Sequence, residues 1–184
     1  SEGFNERAFA TATSEALAKI PRGNADAARF HSFVVGMLEF IFYPELIYPV
    51  KECEVDQGRK RIDITFTNNS HSGFFFRSRA EAQTHASWVF VECKNYSREI
   101  ANPELDQLAG RFSPQRGKLG FLVGRNFDDR ALFVQRCRDT AHADRGFIIP
   151  LVDEDFHFML DLISKTKRHE IDLLLENRWN ELLR

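Results

Sequence analysis

The chain has 184 residues, 43% of them hydrophobic and 28% charged, with a formal net charge of −2. That length and balance suit one soluble globular domain, 1–184, with a substantial core, and they exclude a fibrous or low-complexity chain. Apolar runs such as 120–124 and 147–152 are too short to span a bilayer, no signal-peptide pattern opens the chain, and a near-neutral protein does not coat nucleic acid by bulk charge.

Helical spacing predicts a first helix over 5–20, and the Pro21-Arg22-Gly23-Asn24 segment breaks it. Asn24 is the expected cap of a second helix over 25–43. Along that helix Phe30, Phe33, Val34, Met37, Leu38 and Ile41 form a broad buried face. Ser32, Gly36, Glu39 and Tyr43 form a narrower stripe, and Pro44 ends the helix. A hairpin follows, with strands over 46–56 and 61–67 around a turn at 57–60. Residues 73–81 suit either a helix or a packed loop. Residues 87–94 predict a strong strand. Asn102-Pro103-Glu104 opens a helix to about 112, with Asn102 as cap, proline in the first turn and glutamate at the positive end of the dipole. Strands at 118–124 and 146–151 alternate with helices at 128–142, 153–165 and 167–183. A hairpin followed by β-α-β crossovers gives an α/β fold with a mixed central sheet flanked by helices.

The chemistry concentrates on two strands. Side chains alternate faces along a strand. Ile62, Ile64 and Phe66 therefore share one face, and Asp63 occupies the other. Val89, Val91 and Cys93 share one face of the next strand, and Glu92 and Lys94 occupy the opposite face at its C-terminal end. Unpaired charge on an otherwise apolar sheet is costly, so these groups need each other, a metal or a substrate. Two carboxylates suit Mg²⁺, which takes one or two such ligands with waters and phosphate. A neighbouring lysine can orient or deprotonate a water and offset negative charge. A structural ion pair at the end of two strands explains the pattern equally well.

The run Gly58-Arg59-Lys60-Arg61-Ile62-Asp63, followed by Val89-Phe90-Val91-Glu92-Cys93-Lys94, resembles the PD-(D/E)xK nuclease superfamily, which includes restriction endonucleases, Holliday-junction resolvases and Mrr-like enzymes. The resemblance covers the middle of the chain, 25–124. It implies a restriction-endonuclease-like α-β-β-β-α-β core, within about 25–150, with extra helices at both termini. It implies Asp63 and Glu92 as metal ligands and Lys94 as the catalytic lysine, with Ile62 where the family often has proline. It also implies a helix-borne acid, for which Glu39 is the candidate metal ligand and catalytic group, and a glutamine on the following helix, for which Gln107 is the candidate. Glu39 is otherwise an exposed helical glutamate.

Arg111, one turn from Gln107, is a candidate to bind a scissile phosphate, or else pairs with Asp106 or Glu104. Arg61, Asn95 and Tyr96 are candidate cleft residues, although Asn-Tyr after a strand also suits a plain turn. Local basic patches stand at Arg59-Lys60-Arg61, at Arg77 with Arg79, and at Arg111 with Arg116 and Lys118. No exposed aromatic platform can be placed from the sequence, and the six histidines lack ligand spacing. Three cysteines, Cys53, Cys93 and Cys137, are odd in number, which favours free thiols in a reducing cytoplasm. The expectation is an Mg²⁺- or Mn²⁺-dependent endonuclease acting on DNA, in restriction, phage defence or repair. The alternatives are a catalytically silent nuclease-fold domain for binding or assembly, and an RNA-cleaving enzyme. Duplex cleavage needs two sites, so a homodimer or higher assembly is a reasonable partner state. The Ser-Glu-Gly start suggests an excised piece whose missing part supplies sensing.

Overall fold

A computed structural model gives the three-dimensional structure, and it describes residues 3–56, 59–98 and 100–184, with side chains outside 52–63. The chain folds as an α/β protein around one five-stranded sheet in the order β1-β2-β3-β4-β5. The strands are β1 (Leu46–Asp56), β2 (Arg59–Asn68), β3 (Trp88–Cys93), β4 (Leu119–Val123) and β5 (Phe147–Leu151). The first three form an antiparallel meander, and β4 and β5 join parallel to β3. The helices among the described residues are α1 (Glu6–Ala18), α2 (Ala27–Phe42), α3 (Gly73–Ala80), α4 (Asn102–Ala109), α5 (Arg130–His142), α6 (Asp153–Ser164) and α7 (Glu170–Leu183). None of these is long and apolar enough to cross a membrane.

The two parallel crossovers step the same way across the sheet, so α4 and α5 lie on one face, here called the front. Gly120 of β4 belongs to that face. A Cβ there would come within 3.1 Å of Leu108 and Phe112, so its absence lets α4 press closely onto the strands. The back face carries Ile64, Phe66, Val89, Val91 and Phe121, all fully buried. There Phe42 of α2 stacks on Phe121 at 5.7 Å, and Phe75 of α3 meets the same ring edge-on. Helix α7 closes the β5 edge, where Trp179 stacks on Phe147 at 4.0 Å. Ten of the eighteen phenylalanines are buried in this core, each covering a large area with few rotamers to fix.

The helix starts differ from the expected caps. Asn24 lies inside a 3-10 turn (Asn24–Asp26), and Asp26 precedes α2 without a side-chain cap. Asn102 is already helical. Ala101 is the N-cap of α4, and the carboxylate of Glu104 accepts its N–H at 3.0 Å. Residues 73–80, which suited helix or loop, are helical. The expected turn at 57–60 falls partly outside the described residues.

Candidate functional site

Strand β3 brings its charged pair to the front face near the β3 C-terminus. Two-residue spacing puts Glu92 and Lys94 on that face with Phe90. The Lys94 backbone N–H donates to Val123 O at 2.9 Å, which holds the residue in line with β4 beyond the formal end of β3. Glu92 is 1% exposed, and the Lys94 Nζ lies 3.0 Å from its Oε1. Burial disfavours the Lys94 ammonium. The charge and hydrogen bond of Glu92 outweigh that, with Tyr96 and Glu104 adding, so its pKa is held above 10.5.

The antiparallel register of β2 and β3 puts the Cα of Asp63 directly opposite that of Glu92. The side chains of Asp63 and Arg61 lie outside the described residues. Thr65, the next described front-face position of β2, accepts a hydrogen bond from Arg111 at 3.0 Å. The Arg111 guanidinium also covers the Phe90 ring at 4.8 Å. Asp106 pairs instead with Arg145 at 3.0 Å, and Glu104 turns inward, so neither suggested surface partner draws Arg111 off the sheet. Gln107 lies on α4 and is exposed, whereas α4 ends at Ala109, short of the expected 112, and Arg111 stands in the turn after it.

Tyr96 joins the group from the loop after β3. Its hydroxyl donates to Glu104 Oε1 at 3.0 Å. Burial pushes its phenol above 10.0, against the opposing pull of Lys94 and with help from Glu104. Glu104, 6% exposed, thus acts twice: it satisfies the start of α4 and anchors Tyr96. Its place near Lys94 is not evident in the sequence, where it reads as a helix-dipole residue.

Two expected site residues have other roles. Asn95 is 4% exposed and donates to Pro21 O and Gly23 O at 2.9 Å, so it ties β3 to the chain entering α2 and does not line a cleft. Glu39 is not brought to Lys94. The start of α2 is the end joined to Asn95, and Glu39 stands twelve residues further on, about 18 Å along the axis. There it borders a hollow of about 460 Å³ with Tyr43, Pro44, Leu46 and Tyr48, at the opposite end of the sheet.

Arg125, just past β4, is a buried residue that sequence patterning does not single out. Its guanidinium donates to both oxygens of Asp153 at 2.9 and 3.1 Å, to Asn95 Oδ1 at 2.7 Å and to Ile20 O at 2.9 Å. It also covers the Phe30 ring at 4.8 Å. One side chain therefore joins α1, α2, α6 and the segment that carries Lys94.

Among the described residues no three His, Cys, Asp or Glu side chains cluster to hold a metal ion. Strand register lines up three carboxylate positions across β1, β2 and β3: Glu52 opposite Asp63, and Asp63 opposite Glu92. That donor set suits a hard divalent cation that keeps waters and takes phosphate oxygens. Comparison with protein-family models, curated proteins and solved structures finds no match for this chain.

Proposed function

We propose that the chain is a metal-dependent phosphodiesterase, an endonuclease acting on DNA. The observation that carries the reading is the buried Glu92 carboxylate. It is paired with Lys94, lies opposite Asp63 in register and shares its sheet face with Arg111. From α2 to β4 the order is helix, two strands, the short helix α3, a third meander strand, helix and parallel strand; with α3 as an insertion it fits a restriction-endonuclease-like core and supports the same reading.

Asp63 and Glu92 would hold Mg²⁺ or Mn²⁺. When bound, such an ion stabilises charge on the phosphate and acidifies an attacking water. The rest belongs to the chain. Lys94, 3.0 Å from Glu92, offsets negative charge that builds on the phosphate or orients the attacking water. Arg111, held on this face by Thr65 and the Phe90 ring, adds positive charge beside the site. Tyr96 and Glu104 hold the loop after Lys94 against α4.

The purified protein should nick or degrade DNA with Mg²⁺, and Lys94→Ala should abolish this. Undiminished cleavage by that variant contradicts the reading. Parallel reactions on RNA identify the preferred sugar. The closed Lys94–Glu92 contact also suits a silent nuclease-fold domain that binds without turnover. Calorimetry separates the two, because a silent site shows no Mg²⁺ binding that depends on Asp63 and Glu92.

A further inference from the structure

Helix α4 covers only part of the front face. It lies over β3 and β4, and the described front-face positions of β1 and β2 beyond it are exposed or half-buried. Val50 of β1 is 54% exposed and Trp88 of β3 is 41% exposed, with Thr65 and Thr67 half-buried between them. All four share the front face, since Val50 opposes Thr65 and Trp88 opposes Thr67 in register. A tryptophan at the start of a strand usually packs against a neighbouring element, and this one faces outward.

The open strip is bordered by cations. The Trp88 N–H donates to Arg116 O at 3.2 Å, which puts the two residues side by side. Arg116 is exposed, and its guanidinium stands 5.7 Å over the Phe90 ring, beside Arg111 on the same ring. No ion pair joins Arg116 to a carboxylate among the described residues. The tight turn that delivers it depends on Gly117 at φ +106°, where a Cβ would come 2.8 Å from Ala86 Cα. Of the described arginines in the other patches, Arg77 pairs with Glu176, and Arg79 donates to the carbonyls of Asn68 and Ser70. Arg116 is the exposed cation placed beside Trp88.

Front-face positions along β3 recur every second residue, so Trp88, Phe90, Glu92 and Lys94 span about 20 Å. The order along that line is an exposed indole, a ring capped by two guanidiniums, then the carboxylate and ammonium of the candidate centre. We propose that this strip is a track for single-stranded nucleic acid, with Trp88 stacking a base and the exposed Arg116 taking a phosphate of the strand that reaches Glu92 and Lys94. The inference deepens the nuclease reading and rests on it for the direction of the strand. The exposed Arg116 guanidinium at the Trp88 end favours a polyanion over a second copy of this near-neutral chain. The isolated indole favours unpaired bases, whose faces are available, over a duplex, whose bases are already stacked.

The test is binding of a fluorescent oligothymidylate and of the matching duplex, by anisotropy in EDTA so that no cleavage occurs. The wild-type chain should prefer the single strand. Trp88→Ala should weaken that binding about tenfold, and Trp88→Phe should retain most of it. Arg116→Gln should lower the slope of log affinity against log salt by about 0.7, the loss of one phosphate contact on a single strand. Bound oligonucleotide should quench Trp88 emission while Trp179, buried on Phe147, stays unquenched. Circular dichroism of each variant checks that the fold is kept. Duplex preference, or binding unchanged in both Trp88→Phe and Arg116→Gln, overturns the track. Self-association that shields Trp88 and excludes the oligonucleotide overturns it in favour of a second copy. Trp88-dependent binding by a chain that never cleaves would refute the nuclease reading and leave the track standing. Cleavage with no Trp88 dependence would do the reverse.

Discussion

Truncating Arg125 to alanine should cost about 3–5 kcal/mol of stability, the range for breaking a buried, hydrogen-bonded ion pair. The side chain is 3% exposed, and its loss strands the Asp153 carboxylate, Asn95 Oδ1 and the Ile20 carbonyl together. For a domain of this length such a loss lowers the Tm by roughly 10 °C. The cost also depends on pH. Burial already raises the Asp153 pKa above 3.8 against the pull of Arg125. Without the arginine it rises further, so the folded state then binds more protons than the unfolded chain above pH 3.8, and stability falls as pH rises through that window. The penalty should therefore be larger at pH 7 than near pH 4. Urea unfolding followed by far-ultraviolet circular dichroism at both pH values measures this. Arg125→Lys should recover part of the loss, because an ammonium can face Asp153 but cannot fork to Asn95 and Ile20 as well. A penalty under about 1 kcal/mol at pH 7, or one independent of pH, refutes the clamp.

Glu104→Gln keeps the shape of the α4 cap and removes the charge beside Tyr96. The Tyr96 phenol should then titrate closer to 10.0, seen as a lower midpoint in its ultraviolet absorbance, while Glu104→Ala should in addition cost about 1 kcal/mol through the lost cap. Cys137 is buried, and its thiol is pushed up to about 12. At pH 8 about one molecule in ten thousand carries the thiolate, so an alkylating reagent should leave Cys137 unmodified until the chain is unfolded in urea. Rapid native labelling at Cys137, located by peptide mass, would contradict its place in the core.

The elements visible in the sequence are those governed by local periodicity. The two-residue alternation through Ile62–Phe66 and Val89–Lys94 marks the strands and isolates Glu92 and Lys94 on one face. The 3.6-residue repeat from Phe30 to Ile41 marks α2. Helical spacing puts Gln107 and Arg111 on one side of an expected helix to 112, but α4 ends at Ala109 and Arg111 reaches Thr65 from the turn beyond it. What escapes is decided by partners far away in the chain. Arg125 has no local signature, because the groups it joins lie 28 to 108 residues away. Glu39 has the right residue type on the right helix, yet the anchoring of the α2 start to Asn95 sends it to the wrong end of the sheet. Asn95 reads as a cleft residue because it follows Lys94, but its amide satisfies backbone carbonyls of the chain entering α2. The exposure of Trp88 depends on how far α4 extends over the sheet, which no pattern within 88–94 encodes.

The central claim is that Asp63 and Glu92 hold a divalent cation beside Lys94. Anomalous scattering from crystals soaked in Mn²⁺ tests it most directly. The account predicts a peak between the two carboxylates that disappears in Asp63→Asn. Full soaking with no peak there, or a peak that persists in Asp63→Asn, would contradict it.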